Sequence, residues 1–131
     1  MTKKELEEVF DYLRVLQSVY NMYSWDGRRA KPISVDTVTQ VRIFLNYLVS
    51  QVGLENIPKP DEVSPNPNGT IEIDWVKIDD KKMDLFSVGV FKSGELFYSS
   101  ILDTLGTQSR STSKISEFLD EVLILHLKHF C

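Results

Sequence analysis

The sequence contains a single cysteine, Cys131, and has no long hydrophobic run among its 131 residues. One cysteine cannot form a disulfide within the chain, so we expect a reducing compartment and predict a cytoplasmic protein. No apolar stretch approaches the roughly 20 residues that a membrane-spanning helix requires. The first residues, MTKKELEEVFDYL, mix charged with apolar side chains, which is not the pattern of a secretory signal.

Positive charge is also scarce, because 15 Lys and Arg residues face 19 Asp and Glu residues and give a formal charge of -4. Non-specific binding to a phosphate backbone needs a basic surface, so the composition favours a basic protein partner over nucleic acid. The sequence contains no glycine-rich phosphate loop, G-x-S-x-G, H-E-x-x-H or paired C-x-x-C motif. We therefore predict a protein that is not an enzyme and uses no cofactor or metal.

Hydrophobic residues make up 42% of the chain and aromatic residues 11%, which is enough for one packed core and predicts a single domain over residues 1–131. Apolar residues at helical spacing predict helices over about residues 3–23 and 35–52. A capping-box pattern begins at Thr2, and Ser34 is a favourable N-cap for the second helix. These two segments predict an N-terminal helical hairpin.

The middle of the chain has the alternating and β-branched composition of strands, with Asn68-Gly69 suited to a hairpin turn. The predicted strands cover about residues 62–64, 70–78, 83–91 and 95–102. The polar segment DTLGTQSRSTS that follows is predicted as a mobile loop. A last helix is predicted over about residues 114–130, with Ser113 as its N-cap. Together the elements predict an α+β fold, a two-layer sandwich in which helices cover an antiparallel three- to four-stranded sheet.

The only tight run of positive charge lies in SWDGRRAKPIS, the connector of residues 24–34 between the two predicted helices. Turn formation, helix capping and packing between the helices explain five of its residues: Trp25, Asp26, Gly27, Pro32 and Ser34. They do not explain Arg28, Arg29 and Lys31. Those three side chains are either solvated charges, the common state of Lys and Arg, or a docking patch for an anion.

A second group of charges is acidic and comprises Glu72, Asp74, Asp79, Asp80 and Asp84. Because Ile71, Ile73 and Trp75 alternate with Glu72 and Asp74, the acidic residues are either simply the wet face of a strand or a contact surface for a basic partner. No EF-hand pattern accompanies them, so a metal site is not predicted. His126, His129 and Cys131 are loosely metal-like in spacing, but the cluster lacks a second ligand pair.

Two segments of the chain carry a resemblance. The first has Trp25, Asp26, Gly27, Ala30, Pro32, Ile33 and Ser34 in the order W-D-G-x-x-A-x-P-I-S. The second has Pro65, Pro67, Asn68, Gly69, Ile71, Ile73, Asp74 and Trp75 in the order P-x-P-[DN]-G-x-I-x-I-[DE]-W. Together they resemble a widespread group of small, mostly uncharacterised bacterial and phage-associated proteins. The chain departs from that pattern at Arg28-Arg29, where small or aromatic residues are more usual.

The resemblance implies a bacterial or phage setting, in which such proteins are often accessory, antitoxin-like or anti-defence factors. Our main prediction is a protein-binding module, an antitoxin, immunity protein or phage inhibitor that masks a basic surface of its partner. The alternative is a nucleic-acid-directed protein or small nuclease toxin, which holds phosphates with the connector cations and with Arg110 and Lys114 near a helix N-terminus. A homodimer formed through a sheet edge is compatible with either hypothesis.

Overall fold

The computed structural model describes residues 1–102, the backbone of residues 107–114, and Phe130. It shows an α+β fold with two N-terminal helices and an antiparallel sheet, as predicted. The predicted C-terminal helix, apart from its two ends, lies outside the described residues, and so do His126, His129 and Cys131.

Helix α1 spans Lys3–Val19 and begins with the predicted capping box at Thr2. It ends four residues before the predicted end at residue 23. In a continued helix the N–H of Ser24 would donate to the carbonyl of Tyr20. Instead, Ser24 donates to Ala30 O at 2.7 Å, and the Tyr20 carbonyl accepts from Ile33 N at 2.8 Å. The connector therefore takes over the backbone groups that would extend α1.

Helix α2 spans Val35–Val52, as predicted. The Ser34 side chain accepts a hydrogen bond from Thr37 N at 3.2 Å, which satisfies one of the free amides of the first turn. The helix ends at Gly53, whose φ of 86° is a conformation that favours glycine. A short 3-10 helix, Leu54–Asn56, leads from α2 into the sheet.

The sheet has five antiparallel strands whose spatial order is their order in the chain. The strands are β1 (Glu62–Pro65), β2 (Ile71–Asp79), β3 (Lys82–Val90), β4 (Glu95–Leu102) and β5 (Thr107–Lys114). The first four match the predicted strands to within one residue at each end. The sheet is thus a simple meander, in which each strand pairs with the next one along the chain.

Strand β5 corrects the prediction of a mobile loop after residue 102. Thr107–Lys114 pairs with β4 over its whole length, so the sheet has five strands instead of the predicted three to four. Ser113 and Lys114 belong to this strand, and residues 115–129 of the predicted helix lie outside the described residues. The β5 segment has few apolar residues, and such a composition predicts a loop. Main-chain hydrogen bonds to β4 do not depend on apolar side chains. A strand at the edge of a sheet needs apolar side chains less than a central strand does.

The core lies between the two helices and one face of the sheet, which we call the inner face. Trp75 of β2 stacks on Phe86 of β3, with ring centroids 5.6 Å apart, and its indole N–H donates to Pro58 O at 2.9 Å. From α1 and α2 the core takes Val9, Leu13, Leu16, Val38, Val41, Phe44, Leu45 and Leu48. From the strands it takes Val63, Ile71, Ile73, Trp75, Phe86, Val88, Val90 and Leu96. Phe130 is partly buried against the same core.

The opposite face of the sheet, which we call the outer face, carries the alternate residues of each strand. Glu72, Asp74 and Val76 of β2 lie on this face and are half-buried. Neither α1 nor α2 covers it, since the strand residues that pack against them belong to the inner face. Among the helices of the described residues, none has the length and apolar character needed to cross a membrane.

Candidate functional site

The connector between α1 and α2 is a closed, internally hydrogen-bonded loop. Asp26 Oδ1 accepts from the backbone N–H groups of Arg28 at 2.7 Å and Ala30 at 3.1 Å. These bonds, that of Arg28 first, hold the pKa of the Asp26 carboxyl below its usual value. Gly27 has a φ of 74°, as its predicted role in the turn requires. Asp26 and Gly27 therefore form the predicted turn.

Trp25 closes this loop from one side. Its indole N–H donates to Lys31 O at 2.8 Å, and its ring meets Tyr20 edge-on with centroids 4.9 Å apart. The ring is partly buried against the end of α1, so Trp25 fixes the connector to that helix. The side chains of Ala30 and Ile33 are also buried and anchor the loop to the rest of the protein.

The connector rests on the turn that joins β1 to β2. The backbone N–H of Lys31 donates to Pro67 O at 2.8 Å. The predicted turn at Asn68-Gly69 is present, and Gly69 has a φ of 87°. A Cβ on Gly69 would lie 3.4 Å from the Cβ of Lys31, in ordinary contact. The two distinctive sequence segments therefore meet at Lys31 and Gly69, which are 38 residues apart in the chain, and form one structural unit.

The cations of the connector separate into two groups. Arg28 and Arg29 are exposed at the loop tip, and neither forms an ion pair in the described part of the chain. Lys31 lines a cavity beside the β1–β2 turn, and that lining includes neither arginine. Arg110 and Lys114 lie in the backbone of β5, opposite Ser99 and Glu95 of β4. The helix near whose N-terminus they were predicted to lie is outside the described residues.

The acidic group predicted from sequence also divides. Asp79 and Asp80 lie at the exposed tip of the β2–β3 hairpin, where Asp79 is opposite Lys82. Asp74 is five residues from Asp79, which corresponds to about 17 Å along an extended strand. Asp84 is fully buried on the inner face. Only Glu72 and Asp74 of the predicted group remain together.

Two further carboxylates lie beside Glu72 and Asp74, and we call the four residues Asp61, Glu62, Glu72 and Asp74 the acidic corner. The antiparallel register places Glu62 directly opposite Asp74. Asp61 immediately precedes β1, and its Oδ2 accepts from Val76 N at 2.7 Å, which holds this carboxylate against β2. None of the four forms an ion pair in the described part of the chain.

The acidic corner is partly desolvated. Burial raises the pKa of Glu72, and the neighbouring Asp74 carboxylate raises it further. Burial likewise raises the pKa of Asp74; a hydrogen bond from Ser87 opposes this, and the charge of Glu62 adds to it. Asp74 Oδ1 is buried and has no hydrogen-bond partner among the described residues. A hydrogen bond between the two side chains raises the pKa of Glu72 and lowers that of Asp74, and neither carboxyl forms an ion pair with a described cation.

An apolar band adjoins the acidic corner on the outer face. It consists of Val76, Leu85 and Ile101, which are half-buried. Phe97, which is 40% exposed, lies on the same face but opposite Gly89, four residues along β4 from Ile101. Val76 is opposite Leu85, and Leu85 is opposite Ile101, so these three form a row across three strands. Beyond this row, towards the hairpin tip, Ile78 is 74% exposed.

Comparisons with protein-family models, with curated proteins and with solved structures find no match to this chain. The predicted membership of the bacterial and phage-associated group therefore stays a prediction. Within the described residues, no group of three or more His, Cys, Asp or Glu side chains is arranged to hold a metal ion.

Sequence reasoning missed Asp61, Glu62 and the apolar band. The signal for Glu62 was present, because pairing outward from a turn at residues 66–70 places residue 62 opposite residue 74. The apolar band was harder to find. Val76, Leu85 and Ile101 come from three strands, and their common face follows only once the register of all three is known.

Proposed function

We propose that this chain is a non-catalytic protein-binding module of the inhibitor or antitoxin type, and that its outer face masks a basic surface of a partner protein. One observation carries the proposal: Glu72 and Asp74 are half-buried, have raised pKa values and form no ion pair in the described part of the chain. A partner Lys or Arg would supply the missing opposite charge.

The physical argument concerns desolvation. A carboxylate loses favourable hydration when it is buried, and this loss is offset only by hydrogen bonds or an opposite charge. In the acidic corner the loss is already incurred in the free protein, and Asp74 Oδ1 lacks a hydrogen-bond partner among the described residues. A partner guanidinium that binds here is attracted by the carboxylates, and part of the desolvation of those carboxylates has already occurred in the free protein.

The apolar band gives such a partner something to pack against. Specific interfaces combine apolar residues at the centre with charged residues that set orientation and partner choice. The outer face measures about 19 Å across five strands and about 28 Å along them, from the usual strand spacing and rise. That footprint suits a compact interface at the small end of the specific range. No catalytic group is required for an inhibitor that acts by covering a surface.

The test is affinity capture of the tagged protein from a bacterial or phage-infected lysate, at low salt and after nuclease treatment, with the bound material identified by mass spectrometry. Glu72→Gln with Asp74→Asn removes the two half-buried charges while keeping side-chain shape. Asp79→Asn with Asp80→Asn is the matched control, since it changes the net charge equally at the hairpin tip. We expect one stoichiometric protein to be captured by the parent and control proteins and lost by the Glu72/Asp74 variant.

Equal capture by all three proteins would contradict the proposal, because the acidic corner would then contribute nothing to binding. Recovery of nucleic acid alone, lost after nuclease treatment or at higher salt, would favour the alternative of a nucleic-acid-directed protein. In that case Arg28 and Arg29, which are exposed at the connector tip, are the residues to change next.

A further inference from the structure

A cavity of about 340 Å³ lies where the connector, the start of α2, the β1–β2 turn and the end of β3 meet. Two of its lining residues are cations, Lys31 from the connector and Lys92 from the chain after β3. No carboxylate belongs to the lining, although the protein as a whole is acidic. The cavity is therefore a local region of positive charge on a negative molecule.

Neither lysine forms an ion pair within the described residues, where the ion pairs are Arg14 with Asp11 and Lys59 with Glu8. The position of Lys31 is fixed, because its backbone N–H is bound to Pro67 O and its β-carbon lies beside Gly69. Two lysines without an ion pair that line one cavity attract an anion more strongly than either does alone.

The rest of the lining is mixed. Phe91 is half-buried and offers an aromatic surface, and Pro32 adds a second apolar wall. Ser34 and Asn68 supply polar side chains, and the first turn of α2 also borders the cavity, so the helix dipole reinforces the positive potential. Small-molecule sites have this character, with apolar walls, a few polar groups and a volume of roughly 300 to 1,000 Å³.

The geometry points to a binding site for a small phosphate-bearing molecule with an apolar or aromatic moiety, of about the size of a mononucleotide. Lys31 and Lys92 bind the phosphate, and Phe91 and Pro32 contact the apolar part. The two distinctive sequence segments meet at this cavity through Lys31, Pro32, Ser34, Asn68 and Gly69. This site is separate from the acidic corner, since the two share no residue.

The test is titration of the full chain with adenosine monophosphate, inorganic phosphate and adenosine as probes, followed by heteronuclear NMR. Lys31→Gln with Lys92→Gln removes both ammonium groups and keeps most of each aliphatic stem. Lys81→Gln with Lys82→Gln is the matched control, because it removes two exposed lysines at the β2–β3 hairpin tip. NMR spectra of the unliganded variants report whether each one is folded.

We expect adenosine monophosphate to shift the resonances of residues around the cavity, to bind more tightly than phosphate or adenosine, and to bind at least about 10-fold more weakly to the Lys31/Lys92 variant. The control should bind as the parent protein does. The inference is overturned if no probe shifts these resonances at concentrations up to about 10 mM, or if both double variants lose affinity equally. Adenosine monophosphate binding no tighter than phosphate would refute the assignment of the apolar walls.

Discussion

Replacing Asp74 by asparagine should stabilise the free protein. Glu62 is directly opposite Asp74 across the β1–β2 pair, and like charges in that position cost about 0.2 to 1 kcal/mol. Glu72 lies two residues away on the same face, and its side-chain hydrogen bond to Asp74 lowers the pKa of Asp74, which opposes part of this cost. Solvent screens these half-exposed groups, so we expect a net gain of at most about 1 kcal/mol at pH 7. Asparagine keeps the shape of the side chain and an oxygen that can accept from Ser87.

The gain should depend on pH in a defined direction. The pKa of Asp74 is raised in the folded protein by burial, opposed by Ser87 and assisted by Glu62. A raised carboxyl pKa contributes stability that is complete below the unfolded pKa and is lost as pH rises through the folded pKa. The parent protein therefore loses this contribution between about pH 4 and neutral pH, whereas the Asp74→Asn variant does not. The difference between the two should be largest at pH 7 and disappear near pH 4.

The assay is urea unfolding followed by tryptophan fluorescence across this pH range. Asp79→Asn serves as the control, because it removes the same charge from a residue that is opposite Lys82 and should give no gain. A shift of about 1 kcal/mol corresponds to roughly 3 to 5 °C in Tm for a domain of this size. An Asp74→Asn protein that is less stable than its parent at pH 7, or a difference that does not change with pH, would refute the argument that these carboxylates are desolvated and uncompensated.

Two further changes test the fold. Lys81→Gly should raise the free energy of unfolding by about 0.5 to 1 kcal/mol. Asp80 and Lys81 have φ values of 43° and 68°, and the two-residue turn they form favours glycine. A free energy of unfolding in urea that does not increase would argue against that turn. Trp75→Phe should lower the free energy of unfolding by about 2 to 3 kcal/mol, since it leaves Pro58 O without its donor and opens space beside Phe86. Trp25→Phe, at a partly buried site in the connector, is its control and should cost less; the reverse order would contradict the assigned core.

The elements that could be predicted from sequence are those with local signals. The residues that cap helix α2, Ser34 and Gly53, are of types that favour helix ends, and the bounds of the helix were predicted correctly. The end of α1 was predicted too late, because Tyr20 is bound by Ile33, a residue 13 positions away. Strand β5 was not predicted, because main-chain hydrogen bonds to β4 stabilise it. Its sequence lacks the alternation of apolar and polar residues that indicates a strand.

The same distinction holds for the candidate sites. The turn formed by Asp26 and Gly27 was predicted because its hydrogen bonds span at most a few residues. The acidic corner and the Lys31–Lys92 cavity both depend on residues that lie far apart in sequence. Charge composition alone therefore grouped Asp79 with Asp74, although the two residues lie about 17 Å apart along β2.

The most direct test of the central claim is isothermal titration of the captured partner with three proteins at low salt: the parent chain, the Glu72→Gln/Asp74→Asn variant and an Arg28→Gln/Arg29→Gln variant. If the outer face binds a basic surface, the first variant should lose at least about 10-fold in affinity, or about 1.4 kcal/mol, and the second should bind as the parent does. Unchanged affinity of the Glu72/Asp74 variant, with a loss confined to the Arg28/Arg29 variant, would contradict the account and place the binding surface on the connector.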